Sequence, residues 1–375
     1  MKIVMETEQK YIGIMDCDLI ARKQHRFPNL ACMKISSYFK QKGYFVFLIE
    51  DYKDPWIDIC DKVFCSKVFT DTEVPADILE RSNVIFGGSG FYFDKAKPLP
   101  DKIEHSKPDY HLYDHYVNSK GCISQFEAYT DYSIGFLTRG CFRGCKFCIN
   151  QNKKQVVRHS SLEEFYDESR KVICLLDDNF LGCKDWKELL LQLQNTGKRF
   201  QFKQGLDERL LTDEKCKILF RSKYYNDYIF AFDNIEDYDL IERKLQLIRK
   251  YYSKENIKFY VLVAFKSTDA EDVFNMFKRI ELLMKYRCKP YIMRYQNKNE
   301  KPYEKSKYRS LYIAVARWCN QPNIYKKMSF KEFCLAIQKQ VKKDGYVCSP
   351  LQALLDFEKE YPEEAEYYFN MRYGK

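Results

Sequence analysis

The sequence predicts an α/β protein with two successive runs of parallel strands, an open sheet first and a partial barrel second, closed by a basic helical region. Three observations carry this. Short apolar runs without polar alternation recur along the chain, as strands buried on both faces require. Most are followed by a stretch with helical spacing, several of which end at a glycine. The alternation lapses once, over residues 94–130, and then restarts.

In the first run, YIGIMDCDLI (11–20) predicts a buried strand, and LACMKISSYFKQKG (30–43) a helix ended by Gly43. YFVFLIED (44–51) is a second strand and KVFCSKVF a weaker third. PADILERS is a short helix leading into NVIFGGSG (83–90). Residues 1–95 therefore read as an open, Rossmann-like sheet whose ligands sit beyond the carboxyl ends of its strands. Those ends carry the loop with His25 and Pro28, and Gly87, Gly88 and Gly90. Residues 96–130 are a connector with Pro98, Pro100 and Pro108 and few periodic signals.

The second run occupies residues 131–295. YSIGFLT (132–138) is a strand and SLEEFYDESRK (161–171) a capped helix; VICLLDDNF (172–180) is a strand and DWKELLLQLQNTG (185–197) a helix. RFQFKQGLDERL, a helix near 213–222, YIFAFDN, DLIERKLQLIRKYY, KFYVLVAF, DAEDVFNMFKRIELLMKYR and KPYIMRY continue the series. Nearly six strand–helix pairs suit a partial (β/α)6 TIM barrel, with its chemistry at the strand C-termini. Residues 296–375 read as helical; SFKEF starts a helix with Ser329 as N-cap and Glu332 at the capping-box position.

At 375 residues, 45% of them hydrophobic, the chain can bury more than one core and is not globally disordered. No secretory signal opens it, and its longest apolar runs, such as YVLVAF (260–265), are far too short to cross a bilayer. A cytoplasmic location without a membrane partner is expected. In that reducing setting, clustered cysteines more often hold metal than each other. The net charge of +10 is uneven: from Arg294 to Gly345, thirteen Lys or Arg face four Asp or Glu, a local +9. Such a block suits an anionic partner such as nucleic acid, or is a solvated helical surface.

Of the fifteen cysteines, three stand together in TRGCFRGCKFC (138–148): Cys141, Cys145 and Cys148, spaced C-x3-C-x2-C in the loop after the first barrel strand. Three thiolates so close can hold three irons of a 4Fe-4S cluster and leave the fourth iron without a protein ligand. Gly140 and Gly144 let the loop wrap tightly, and Arg139, Arg143 and Lys146 offset thiolate charge. The alternative is a zinc site completed by His159 or Cys122, which would make the chain a non-catalytic, zinc-stabilised nucleic-acid-binding protein. No second C-x2-C pair accompanies it, as zinc sites of that kind usually show.

GCFRGCKFC after a strand, followed by further strand–helix pairs over roughly residues 130–295, resembles the radical S-adenosylmethionine (radical SAM) superfamily. The resemblance implies that the open iron binds the amino and carboxylate groups of SAM. It also implies that one electron, from a reductant such as flavodoxin or ferredoxin, cleaves SAM to methionine and a 5′-deoxyadenosyl radical that modifies a substrate. Carried over by position, Asp177, Asp178 and Asn179 after the second strand would meet the SAM amino group. Gln204, Asp207 and Arg209 lie beyond the third strand, with Arg209 the partner for the SAM carboxylate. Asp233 and Asn234 after the fourth would meet the ribose. The family's usual glycine–glycine–glutamate form is absent after the second strand.

A parallel α/β domain before such a barrel resembles the cobalamin-binding class, many of which are methyltransferases, and VIFGGSG is similar to that class's glycine loop. The D-x-H-x-x-G pattern that supplies a cobalt ligand is missing; the segment reads DCDLIARKQHRFPN, with His25 at another spacing. Cobalamin bound without a histidine, a vestigial domain and a substrate-docking platform all remain open. Methylthiotransferases need three further cysteines in this domain; Cys17, Cys32, Cys60 and Cys65 are present, but GGSG stands where the third should follow. In the tail, Trp318, Tyr325 and Phe330 among Arg317, Lys326 and Lys327 would suit stacking on bases, or are core aromatics. Cys319 is a candidate reactive thiol, or a buried cysteine.

Overall fold

The first strand, β1 (Tyr11–Asp16), ends earlier than the apolar run predicts. The Asp16 side chain accepts from the Leu19 N–H and caps a short helix, Cys17–Ala21, so the chain turns out of the sheet there. β2 (Phe45–Ile49), β3 (Lys62–Ser66) and β4 (Val84–Gly87) complete a four-stranded sheet in the order β2-β1-β3-β4, every pair parallel. The crossover from β1 to β2 is the predicted helix, Leu30–Gln41, capped by Asn29 and ended by Gly43 at φ +80°.

This computed structural model describes residues 9–121, 123–150, 153–296, 300–341 and 345–374. It divides into two compact units, Met1–Asp178 with Asn195–Phe200, and Asn179–Gln194 with Gln201–Lys375. The division falls beyond the 96–130 connector, because that segment is bound on both sides within the first unit. Asp109 N–H donates to Met33 and Lys34 pairs with Glu104 on the side of the first sheet. On the other side, Ile134 N–H donates to the Tyr110 hydroxyl, and buried Arg170 donates to the carbonyls of Tyr110, Tyr129 and Tyr132.

The first unit continues with β5 (Tyr132–Gly135), the two-residue strands β6 (Thr138–Arg139) and β7 (Val157–Arg158), and β8 (Val172–Leu175). β5 and β8 pair in parallel; β6 and β7 pair antiparallel. The helix expected over 161–171 is a single turn, Leu162–Glu164, with its capping box formed by Ser161 and Glu164. Asp167 stops it: its carboxylate accepts from the N–H and hydroxyl of Ser169, a local turn that competes with helix.

β9 (Arg199–Phe202) is the third strand of the order β5-β8-β9 and runs from the first unit into the second. In the second unit, β10 (Tyr228–Ala231), β11 (Ile257–Val263) and β12 (Lys289–Arg294) form a parallel sheet in chain order. The six expected strands are thus present as two three-stranded sheets, and Leu206 N–H donates to Ile229 O, 2.8 Å, just beyond β9. The helices Tyr238–Tyr251 and Ala270–Lys285 supply the crossovers around β11. Beyond β12 the chain is helical, and the Ser329–Glu332 capping box forms as predicted.

Candidate active site

The cysteine loop begins three residues past β5. It leaves through β6 and returns through β7, with Thr138 opposite Arg158 and Arg139 opposite Val157, so a short antiparallel ladder closes its base. His159 N–H donates to Leu137 O at 2.9 Å and extends that closure. Gly140 has φ +97°, and a Cβ there would run into the Gln155 carbonyl, so only glycine lets the two arms approach. Within the loop, Cys148 N–H donates to Cys145 O (2.9 Å) and Asn150 N–H points at the Cys148 sulfur (3.4 Å). The three cysteines are half-buried.

Two carboxylates beyond β8 hold this loop. Asp177, fully buried, accepts from Leu137 N–H (3.2 Å), Thr138 N–H (2.6 Å) and the Thr138 hydroxyl (2.6 Å). Asp178 accepts from Gly140 N–H and from the Asn150 side chain, both at 2.8 Å. Desolvation pushes Asp177 up to about 7 against the pull of its hydrogen bonds. Sequence position offered these residues to the SAM amino group; the structure occupies both with the loop that bears the thiols, which the strand pattern alone could not show.

The donor set suits an iron–sulfur cluster with one open iron: three thiols on one loop, with a backbone N–H directed at a sulfur. Among the described residues, no group of three or more His, Cys, Asp or Glu side chains forms a metal-sized site. The ring of His159, the candidate fourth ligand of a zinc site, stacks on His105 (centroids 5.3 Å) and faces Glu104 at 3.5 Å. Cys122 lies outside the described residues.

The second unit holds the other predicted positions. Asp207 caps the turn Glu208–Leu210; it accepts from Arg209 Nε at 2.8 Å and from Asn179 Nδ2 at 3.3 Å. Glu208 and Asp237 stand 3.8 Å from the same guanidinium, so Arg209 already has three carboxyl groups around it. Gln204 is exposed. Asp233 accepts from Leu262 N–H at 3.2 Å, and Asn234 begins the turn Ile235–Asp237. Cys319 is buried at the end of helix Arg309–Cys319, where desolvation holds its thiol well above the ordinary value.

Two groups here escaped the sequence reading. Glu208 is buried, accepts from Ala231 N–H (3.1 Å) and is pushed up to about 8 by desolvation and then by Asp207. Arg279, buried on helix Ala270–Lys285, donates to the carbonyls of Phe232 (3.1 Å), Asp233 (3.0 Å) and Leu262 (2.8 Å), which ties the ends of β10 and β11. Its position on the apolar face, among Met276, Ile280 and Leu283, was the available signal.

At the first sheet, strand order reverses between β1 and β3, where an open sheet has its ligand crevice. Tyr113 from the connector is buried there, its hydroxyl donating to Asp16 (2.9 Å) and accepting from Asn29 N–H (3.1 Å). Asn29 also donates to Ser66 at 3.0 Å. Gly88 has φ +96°, and a Cβ there would strike the Lys67 carbonyl; Gly90 N–H donates to that carbonyl at 2.9 Å. Gly88 and Gly90 therefore serve packing against residues 67–69, a Cβ at Gly87 would meet nothing within 4 Å, and the crevice is filled by the chain's own side chains. These residues do not fit a corrinoid.

The tail aromatics are core. Trp318, Tyr325 and Phe330 are fully buried and pack on each other, so of the two readings they are core aromatics and offer no stacking surface for bases. Among the described residues, no helix is long and apolar enough to cross a membrane. Compared with protein-family models and with curated proteins, the chain matches none.

Proposed function

We propose that this protein is a radical SAM enzyme that binds a 4Fe-4S cluster through Cys141, Cys145 and Cys148. One observation carries the reading. A three-cysteine loop stands directly beyond the first strand of a parallel series, closed at its base by β6 and β7, and carboxylates from beyond the next strand clamp it. A cluster bound there would supply the electron that cleaves the SAM sulfonium, fed by a one-electron donor of the flavodoxin or ferredoxin type. The chain's own part is to hold the loop: Asp177 and Asp178 fix its backbone, and the N–H of Asn150 favours the thiolate of Cys148.

On this reading the strands from β5 to β12 are a partial (β/α)6 barrel, and the β2-β1-β3-β4 sheet is a Rossmann-like domain that works without cobalamin, as a docking platform or a vestige. The test is anaerobic purification followed by iron and sulfide analysis and incubation with SAM and dithionite. About four irons per chain, with methionine and 5′-deoxyadenosine as products, is the expected result, lost on replacing the three cysteines by alanine. Stoichiometric zinc without iron would overturn the proposal.

A further inference from the structure

We propose that Cys17 and Cys65 form a reversible disulfide, a redox modification site in the core beneath the strand ends of the first sheet. It is distinct from the three-cysteine loop and independent of the function proposed above.

The two sulfurs lie 3.1 Å apart, about 1 Å beyond the length of a disulfide bond. Their approach is set by the sheet. β1 and β3 run in parallel with Met15 opposite Cys65 and Asp16 opposite Ser66, and the cap at Asp16 turns Cys17 off the strand end. The two residues are 48 positions apart in the chain, so the fold rather than local sequence joins them. Both belong to one buried cluster with Ile49, Ile57 and Val63, and half-buried Tyr52 packs against it with its hydroxyl directed to the Glu73 carbonyl. No apolar partner needs two thiols this close. Two sulfurs held at hydrogen-bonding distance by paired strands have already lost most of the freedom that a disulfide must remove.

The oxidant is a peroxide. One thiol sulfur attacks a peroxide oxygen, the O–O bond breaks, and water leaves together with a sulfenic acid. The second thiol then displaces the sulfenic oxygen, forming the S–S bond and a second water. Two thiols lose two protons and two electrons, and one hydrogen peroxide takes them up to become two waters.

The bond would bridge the strand ends that flank the filled crevice. Asp16, next to Cys17, holds Tyr113, and Ser66, next to Cys65, holds Asn29, so oxidation locks that plug in place. The neighbouring buried thiols, Cys32 and Cys60, have no sulfur at this distance among the described hydrogen bonds.

The full-length protein is treated with hydrogen peroxide under native conditions, alkylated in denaturant, digested and mapped by mass spectrometry. A peptide pair linking Cys17 to Cys65, lighter by the mass of two hydrogen atoms and released by dithiothreitol, is expected. A higher thermal midpoint of the oxidised protein should accompany it and be absent in Cys17→Ser and Cys65→Ser. Full alkylation of both thiols after peroxide, or their capture in links to other cysteines, would overturn the proposal. If either variant fails to fold, the wild-type peptide map decides alone.

Discussion

Asp177 and Thr138 are joined twice, the N–H and the hydroxyl of Thr138 both reaching the same carboxylate oxygen at 2.6 Å. With Leu137 N–H on the other oxygen, one fully buried carboxylate fixes the point where the chain leaves β5 for the cysteine loop. Replacing it by alanine strands three donors in a dry site. At about 1–3 kcal/mol for a buried unsatisfied group, Asp177→Ala should cost about 3 kcal/mol or more in denaturant unfolding. Asp177→Asn keeps an acceptor and should cost less, and Thr138→Val, which removes one bond, about 1 kcal/mol. Iron retained after anaerobic reconstitution should fall in the same order. Unchanged stability in Asp177→Ala would show that the loop is held elsewhere.

The buried carboxylates make stability fall as pH rises. Desolvation, the leading cause in each, lifts Asp16 and Asp177 to about 7, Asp233 to about 6 and Glu208 to about 8. Unfolded, all four titrate near 4. Between these limits the folded chain binds more protons than the unfolded one. The contribution is therefore complete below about pH 4 and lost as pH climbs through the folded values, by up to about 1.4 kcal/mol per pH unit for each proton. Asp109 acts oppositely: hydrogen bonds from Lys40 and Ser36 outweigh desolvation and hold its carboxyl low, so its contribution fails in acid. Thermal midpoints should peak at mildly acidic pH and decline toward pH 8.5. Glu208→Gln should flatten the decline above pH 7, and an unchanged slope would refute the assignment.

What was legible in the sequence follows from length and period. Helices such as Tyr238–Tyr251 and Ala270–Lys285 run for several turns, so their apolar spacing is unmistakable, and every strand from β1 to β12 with at least four residues overlaps a predicted apolar run. The connector was opaque because its helices, Asp101–Glu104, Asp114–Ser119 and Glu127–Thr130, are shorter than two turns, and its order comes from Tyr110, Tyr113 and Tyr129 buried one at a time. The cysteine spacing marked the loop. The work of Asp177 was hidden, because a carboxylate after a strand reads alike whether it faces a ligand or a backbone N–H 39 residues away.

Tyr113 tests the filled crevice. Tyr113→Phe removes the side-chain donor to Asp16, a buried carboxylate that otherwise accepts from backbone N–H groups such as Leu19 at 3.3 Å, and should cost about 1–3 kcal/mol. Because Asp16 is then less well satisfied as an anion, its protonation should become easier and the loss smaller at pH 5.5 than at pH 8. With the plug intact, equilibrium dialysis against hydroxocobalamin should show no tight binding. Cobalamin retained through gel filtration and lost on substituting Gly88 would mean that the crevice opens for it.

The basic block after β12 is the remaining guide to a partner, and three of its charges are answered by carboxylates elsewhere in the second unit. Lys326 pairs with Glu255 at 2.6 Å, Lys307 with Glu360 at 2.8 Å, and Lys331 with Glu358 at 3.0 Å; all three carboxylates lie outside the block. Arg372 from the last residues reaches back to Glu332. Trp318, Tyr325 and Phe330 lie in the core and offer no stacking face, and these pairs reduce the block's free charge. Lys298, Lys342 and Lys343 lie outside the described residues. Binding to single-stranded RNA, measured by fluorescence anisotropy from low to physiological salt, should therefore be weak. Its log–log salt slope should be shallower than about −2, at about −0.7 for each neutralised phosphate on a single strand. Lys326→Glu should act mainly by losing the pair to Glu255, a surface contact worth about 0.5 kcal/mol, and leave the slope unchanged. A steep slope in the wild type, flattened by reversing Arg317, Lys326 and Lys327 together with iron content intact, would instead make nucleic acid the substrate.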